Sequence, residues 1–489
     1  MVSNFDRNTR IGSPSGTATL SSTTDAAERF AARAIEKRTI GDPSCAFEAK
    51  AALVLAPESA SYWSIFGNLR FEEHEPREAV TPLERVVRIN PESHAAFFNL
   101  GNSQYALGAL ETAITLFLRA VCLDPSYAAA YANMGNALRE TGDIPRAINA
   151  YAHATRLRPG RAETQWNLAT ALLLSGDFQK GLPSFEWRKK LSEHYHRGTR
   201  PNPWLQGDKI LGKIVKVYEE QGLGDLIQFA RFLPEIKTRG AKSILVCSSR
   251  IAQLMRESQL ADVVVTEDDD KNEISCQSII TAEIMSLPLL LEFSPSQLPV
   301  RKHYLRACPA RRRRWQWIRQ PEAINVGIAW QGAISAIDRG RSFPLKHFAQ
   351  IAALPHINLV SLQRNEGRGQ LYNAGISNIL DLPDTLDHEG AFLDSIAVMS
   401  ELDLVITSDT SIAHVAGASG APVWIALQYS PDWRWGMSGQ YSAWYPSARL
   451  YRQRLRGDWD EVFERITDDL RSFPRSPYNA VDRAAASAV

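Results

Sequence analysis

Two clusters of polar residues stand where the chain turns from apolar runs into helical patterns. The first is Glu219-Glu220-Gln221-Gly222-Leu223-Gly224-Asp225. The apolar run Ile214 to Tyr218 precedes it, and a helical pattern from Leu226 follows. Gly222 and Gly224 permit a tight turn and a close backbone approach. Asp225 then sits at a helix start on the carboxyl edge of a sheet, where open α/β sheets bind ligands. A carboxylate there can take the proton of an acceptor hydroxyl, or it can simply cap the helix. The second cluster is Thr407-Ser408-Asp409-Thr410-Ser411-Ile412-Ala413-His414. It reads as strand, sharp turn and helix. Ser408, Asp409, Thr410 and Ser411 crowd the helix start, where backbone N–H groups and hydroxyls suit a diphosphate. His414 lies one turn on, on the face of Thr410 and Ser411. It is a candidate to bond a phosphate or a ribose, with helix capping and a buried histidine as the less favoured alternative.

Alternating apolar runs and helices must position both clusters. Strands are expected at Ile214 to Tyr218, Ser243 to Cys247 and Val263 to Thr266. A second set falls at Val326 to Trp330, Asn358 to Ser361, Leu404 to Thr407 and Val423 to Leu427. Helical patterns separate them, at Leu226 to Arg239, Leu345 to Ala353 and Gly390 to Glu401. Such alternation implies parallel sheets with right-handed crossovers. Two sets predict two Rossmann-like domains, over 209–308 and 323–472, with a connector at 309–322. The connector carries Arg311-Arg312-Arg313-Arg314-Trp315-Gln316-Trp317. A helical joint explains this run best, and contact with an anionic donor or membrane is the alternative. The amphipathic stretch Asp458 to Phe473 is expected to be a core-packing helix, of the kind that crosses back to the first domain in a two-domain fold.

The N-terminal third repeats itself. Pro57, Pro91, Pro125 and Pro159 recur every 34 residues. Gly67, Gly101 and Gly135 keep the same period, with Ala169 in the fourth place. So do Gly108, Gly142 and Gly176, and the large residues Leu83, Phe117, Tyr151 and Phe185. The pattern means a helix pair per unit, with small residues for close approach, large ones filling the gap to the next unit, and proline ending the second helix. This resembles the tetratricopeptide repeat. Units are expected at 60–93, 94–127 and 128–161, a degenerate one to about 190, and a divergent pair over 25–59. The array is thus 25–190, between a flexible tail at 1–24 and a linker at 191–208 that holds His194 and His196. A second tail covers 473–489. Stacked repeats form a concave binding surface. Asn99, Asn133 and Asn167 share one phase, and Asn102 and Asn136 another. These amides are candidates for clamping an extended peptide, with inter-helix hydrogen bonding as the alternative.

The 404–427 segment resembles the donor-binding signature of the bacterial heptosyltransferases (glycosyltransferase family 9), with its D-[ST]-[GS]-x-x-H core. The Gly222-Leu223-Gly224-Asp225 string is similar to that family's first loop. The resemblance covers about 209–472 and implies a GT-B fold with Asp225 as catalytic base. It implies that Gly222, Gly224, Ser408, Asp409, Thr410, Ser411 and His414 surround the donor. It adds Gln331, Arg339 and Arg341 from the segment Trp330 to Pro344, and Gln363 from a strand end that meets base or ribose. Arg341 stands where the family often has lysine. The expected activity is inverting, metal-independent transfer from a nucleotide sugar, with no cofactor. Bacterial proteins that fuse tetratricopeptide repeats to this domain have a similar layout, as have the O-GlcNAc transferases. Some of these fusions act in flagellin glycosylation, which points by analogy to a protein acceptor. Transfer to lipopolysaccharide or another saccharide, and a non-catalytic scaffold, are the alternatives.

Composition excludes several other classes. Over 489 residues, 55 Lys and Arg balance 54 Asp and Glu, so no global footprint for nucleic acid exists. The five cysteines are far apart, which argues against a disulfide framework or a zinc site. Asp268-Asp269-Asp270 reads as a solvated turn. No secretory signal and no apolar run long enough to span a bilayer is visible. A cytoplasmic protein is expected.

Overall fold

The computed structural model describes residues 22–191, 201–271, 278–293, 303–333 and 340–474. Arg339, His194, His196 and Cys276 lie outside the described residues. The chain divides into two compact units, with the boundary between Ala171 and Leu172.

The first unit is built of antiparallel helix pairs. They are α1 (Ser22–Thr39) with α2 (Cys45–Leu55), α3 (Ala60–Glu72) with α4 (Pro76–Ile89), α5 (His94–Ala106) with α6 (Leu110–Leu123), and α7 (Ala128–Glu140) with α8 (Ile144–Leu157). Helix α9 (Ala162–Leu174) follows. The repeat frame therefore falls as expected, the divergent first pair included. Pro57, Pro91, Pro125 and Pro159 each lie just past the second helix of a pair. Gly108 and Gly142 make the turn inside a pair at φ 78° and 79°, the left-handed region that favours glycine. The large side chains differ from expectation. A β carbon on Gly101 would lie 2.7 Å from Phe117 of the same pair, and one on Gly135 would lie 2.6 Å from Tyr151. The aromatic ring thus fills the space the glycine leaves inside its own pair.

The second unit begins earlier than the linker predicts. Helix α10 (Phe178–Phe185) and the turn Glu186–Lys190 belong to it. Arg188 supplies the reason. It is buried, and its guanidinium donates to Glu220 at 2.7 Å, Glu186 at 2.6 Å and Ser286 at 2.8 Å. Phe178 also packs edge-on against Phe293 and Trp433. Residues 201–204 run along the first sheet, where Trp204 N–H donates to Thr281 O at 2.7 Å.

Two parallel sheets follow. The first has the order β3-β2-β1-β4, from β1 (Ile214–Tyr218), β2 (Lys242–Cys247), β3 (Val263–Thr266) and β4 (Ile279–Glu283). The second has the order β10-β9-β8-β5-β6-β7. Its strands are β5 (Ile324–Ala329), β6 (Ile357–Ser361), β7 (Ile379–Asp381), β8 (Leu404–Ser408), β9 (Val423–Leu427) and β10 (Ala448–Arg452). Central strands β5, β8 and β9 are buried throughout, as parallel strands covered on both faces must be. Strands β4, β7 and β10 add to the seven expected.

Two expectations, the helix after β1 and the Asp268–Asp270 turn, need correction. The helix after β1 is not continuous: α11 (Leu223–Phe229) gives way to a tight turn and then α12 (Leu233–Thr238), with Pro234 in its first turn. Helix α20 (Trp459–Arg471) packs Val462, Phe463 and Ile466 into the core of the second sheet's lobe, as expected of a core-packing helix. Asp270 is not a solvated turn residue, because it pairs with Lys216 at 2.6 Å and accepts from the Tyr218 hydroxyl at 3.0 Å. The basic connector forms helix α15 (Pro309–Trp315), and its charges meet carboxylates. Arg311 pairs with Glu389 and Arg312 with Glu401, each at 2.6 Å, and Trp315 donates to Asp394 at 2.9 Å. The joint is an element of the fold. No helix among the described residues is long and apolar enough to cross a membrane.

Gly101→Ala forces its methyl into the Phe117 ring and is expected to cost about 1–3 kcal/mol in denaturant unfolding. Gly160→Ala, where nothing lies within 4 Å, should change stability by less than about 0.5 kcal/mol.

Candidate functional site

The carboxyl edges of the two sheets face each other, and the two polar clusters meet there. The close approach depends on Gly224. A β carbon on it would lie 3.0 Å from Cδ2 of His414 on α19 (Ser411–Ser419) and 3.4 Å from Ser411 Cα. The tight turn before it is made at Gln221, which takes φ 57°, while Gly222 is extended at φ −93°. Gly224 therefore serves close approach rather than the turn, whereas a β carbon on Gly222 would meet only Asp225 Oδ2, at 3.4 Å.

Asp225 sits in the first turn of α11. Its Oδ2 accepts the Gly222 N–H at 3.1 Å, so it does face its own helix start. Its Oδ1 accepts from Arg434 Nη2 at 2.5 Å, across the cleft. Arg434 also donates to Gln228 Oε1 at 2.5 Å and to Asp432 Oδ1 at 2.8 Å, and its guanidinium lies over the Trp433 ring. Burial pushes the Asp225 carboxyl above the ordinary aspartate range, with Asp432 adding to it; Arg434, the Gly222 N–H and Arg341 pull the other way. Burial also opposes the charge on Arg434, but Asp432 and Asp225 outweigh it and hold the guanidinium charged.

Asp409 follows β8 on the opposite wall. Burial, then the nearby Asp432 carboxylate, push its carboxyl up to about 6, against the pull of Trp435, Arg341 and Arg434. Thr410 is the N-cap residue of α19, yet its side chain makes no capping hydrogen bond. Its hydroxyl instead approaches Thr407 Oγ1 at 3.4 Å. The Ser408 hydroxyl is buried without a hydrogen-bond partner among the described residues. The helix start thus keeps its first-turn N–H groups free of side-chain caps, as an anion site requires. His414 is buried, with Nδ1 2.9 Å from the Tyr445 hydroxyl and its ring stacked on Trp435. Burial, with Arg434 and Arg231 nearby, lowers its pKa well below the usual histidine value, so it is neutral at physiological pH.

Arg341 reaches this cleft from the segment after β5. A β carbon on Gly332 would lie 2.8 Å from its Nη2, so the guanidinium rests on bare backbone. Gln331 and Gln363 behave differently. The Gln363 amide accepts from Trp330 N and Gln331 N at 2.9 and 3.0 Å and donates to Gln331 O and Glu366 O at 2.8 Å. Its hydrogen bonds are spent on the strand ends, so it shapes the wall instead of presenting a free amide. Gln331 Oε1 accepts from Gln370 at 3.0 Å.

The asparagines of the array bond to one another between repeats. Asn99 donates to Asn68 at 3.1 Å, Asn133 to Asn102 at 2.7 Å and Asn167 to Asn136 at 3.1 Å. Asn99 and Asn102 are buried. Each bond ties one repeat to the preceding one, while Asn99 Oδ1 and Asn102 Nδ2 have no hydrogen-bond partner among the described residues. Asn68 belongs to the set by its position one period before Asn102.

Sequence reasoning missed two arginines. Arg434 lay in a string, Asp432-Trp433-Arg434-Trp435, that periodicity left without a role. Arg231 is buried with no carboxylate in its hydrogen bonds: it donates to Trp444 O at 2.5 Å and Tyr304 Oη at 3.0 Å, and stacks on Tyr445. It ties the first lobe to the connector side and to the second lobe.

Comparison with known proteins is consistent with the array. Two tetratricopeptide repeat models match, over residues 101–139 and 133–186. The first unit is a tetratricopeptide repeat array, followed by an α/β region of two parallel sheets. Protein FlbA of Caulobacter vibrioides is 26% identical over 303 residues, covering 56% of this chain. The chain spans about half the length of that relative, 49%. Among solved structures, MamA is 24% identical with a TM-score of 0.31, covering 33% of this chain and 94% of its own. YrrB, described as a TPR protein with an unusual peptide-binding site, is 21% identical with a TM-score of 0.31, covering 35% of this chain and 91% of its own. A thermophilic TPR protein of Thermus thermophilus is 17% identical with a TM-score of 0.30, covering 34% and 92%.

The raised Asp409 value has a consequence for stability. Folding favours its protonated form, so its contribution is present below about pH 4 and is lost as pH rises through 6. Asp409→Asn removes this dependence. The melting temperature of the variant relative to the parent is expected to rise steadily from pH 4 to pH 7; a constant difference would mean Asp409 is not shifted.

Proposed function

We propose that the two-sheet region is an inverting glycosyltransferase that uses a nucleotide-activated sugar. The observation that carries this reading is the convergence of Asp225, Asp409, Arg341, Arg434 and the uncapped start of α19 on one cleft. A carboxylate on one wall faces cations and helix N–H groups on the other. That arrangement suits a reaction in which a proton leaves an acceptor while negative charge builds on a departing diphosphate.

In this mechanism the donor's diphosphate lies against the start of α19, near Thr410, Ser411 and Arg341. Asp225 takes the proton of the acceptor hydroxyl. The acceptor oxygen forms its bond to the anomeric carbon as the bond to the diphosphate oxygen breaks, with inversion. The nucleoside diphosphate carries away the electron pair. Burial favours this base, because a carboxylate raised above its ordinary range is the stronger proton acceptor. Neutral His414 can donate or accept a hydrogen bond without adding charge. The acceptor in this reading is a protein segment brought by the repeats. The asparagine ladder is its candidate contact surface: one hydrogen bond of each pair runs between repeats, and Asn133, Asn136 and Asn167 are half-buried. The alternative is a saccharide acceptor, with the repeats serving assembly.

Asp225→Asn should lower transfer by at least about a hundredfold, in line with loss of a general base. Donor binding, followed by calorimetry, should change little. Transfer that survives the substitution rules out this base. A chain beginning at Leu172 keeps Arg188 and should still hydrolyse donor while losing transfer to protein. Unchanged transfer by that chain would favour the saccharide acceptor.

A further inference from the structure

Asp225 is carried by one lobe, and its charge partner comes from the other. The turn Trp433–Trp435 follows β9, and Asp432 caps it by accepting the Arg434 N–H at 3.0 Å. That cap aims the Arg434 side chain back across the cleft. Its fork is then divided among Asp225, Asp432 and Gln228, and the guanidinium plane is supported by Trp433 and Phe229. Trp433 is itself fixed by Phe178, Phe185 and Trp444. Arg434 is thus held at three carbonyl or carboxylate oxygens and on two rings, and its side chain is only 9% exposed. Such a guanidinium is pre-organised, with little freedom left to lose on forming each bond.

We propose that Arg434 is the positioning residue of the candidate base: it orients the Asp225 carboxylate toward the acceptor and keeps it ionised inside the cleft. The inference rests on the reading of Asp225 as base. The Gly222 N–H holds one carboxylate oxygen and Arg434 the other, which fixes the plane of the group. Each oxygen keeps a lone pair for an acceptor, and the Asp225 side chain is 20% exposed. A lysine could supply the charge but not the fork. The other groups around Asp225 are Asp432 from the same turn as Arg434, Arg341 from beyond β5, and Asp409 and His414 from β8 and α19. Asp432 works against ionisation of Asp225, and Arg341 works for it, more weakly than Arg434.

The test compares the full-length protein with Arg434→Gln and Arg434→Lys. Ionisation of Asp225 is read without reference to activity, by carbodiimide labelling of its carboxyl across pH with mass-spectrometric detection. The labelling midpoint should move up by about one pH unit in Arg434→Gln and much less in Arg434→Lys, the scale expected for a nearby opposite charge. The acid limb of turnover should move with it. At a pH on that limb Arg434→Gln should then be about tenfold slower at saturating donor, with the donor KM little changed. Arg434→Lys should recover the limb but not the full plateau rate. An unmoved labelling midpoint in Arg434→Gln overturns the proposal even if the variant is inactive. A moved midpoint with an unmoved turnover limb also overturns it, since Asp225 would then be ionised by Arg434 without setting the rate. If no nucleotide sugar is turned over by the parent protein, the reading of the site as a transferase fails, while the labelling shift still tests the pair by itself.

Discussion

Two sheets can share one ligand only when their carboxyl edges come close, and here that closeness depends on a missing side chain. Gly224 lets α11 lie against the start of α19, with His414 and Ser411 in the space a β carbon would take. Everything chemically interesting in the cleft follows from that approach. It brings Asp225 within reach of Arg434, and it sets both opposite Asp409 and Arg341. The surrounding aromatic shell of Trp433, Trp444, Phe229 and Phe293 excludes water behind the ion pair and raises the importance of each charge.

The site is also braced from behind by residues that look, by period, like part of the array. Helix α10 answers to the 34-residue pattern through Gly181 and Phe185, yet Arg188, three residues on, is buried in a carboxylate cluster that includes Glu220. Glu220 begins the same turn that delivers Asp225. Removing one partner from a buried ion cluster costs about 3–5 kcal/mol, so this segment is committed to the α/β unit. Repeat period and unit boundary therefore need not coincide.

Much of this organisation is legible in the sequence, for identifiable reasons. A 34-residue period repeated over several registers places the helix pairs to within a few residues, because each pair must bury the same face. The turn after β8 and the helix at Ser411 are equally readable, since a polar cluster between an apolar strand and a small-residue helix has few other arrangements. Strand β7 is three residues long, and β10 places Arg449 and Arg452 in its run, so neither shows an apolar signature. The asparagine spacing of 34 marks equivalent places. Their bonds run between Asn68 and Asn99, Asn102 and Asn133, and Asn136 and Asn167, partners that belong to different phases. Arg434 could not be paired with Asp225 from sequence, because the contact spans most of the α/β unit and no periodicity links its ends.

The most direct test of a nucleotide-sugar site is ligand stabilisation of the full chain. ADP-, UDP-, GDP-, dTDP- and CMP-linked sugars and the free nucleotides would each be added in a thermal unfolding assay. A ligand at a hundred times its dissociation constant adds about 2.7 kcal/mol of stability, which such an assay resolves. The account predicts one nucleotide class that stabilises, with the effect lost in Thr410 and His414 variants that fold normally. Stabilisation that persists in those variants would place the ligand elsewhere, and no stabilisation by any of these donors would contradict a nucleotide-sugar site in this cleft.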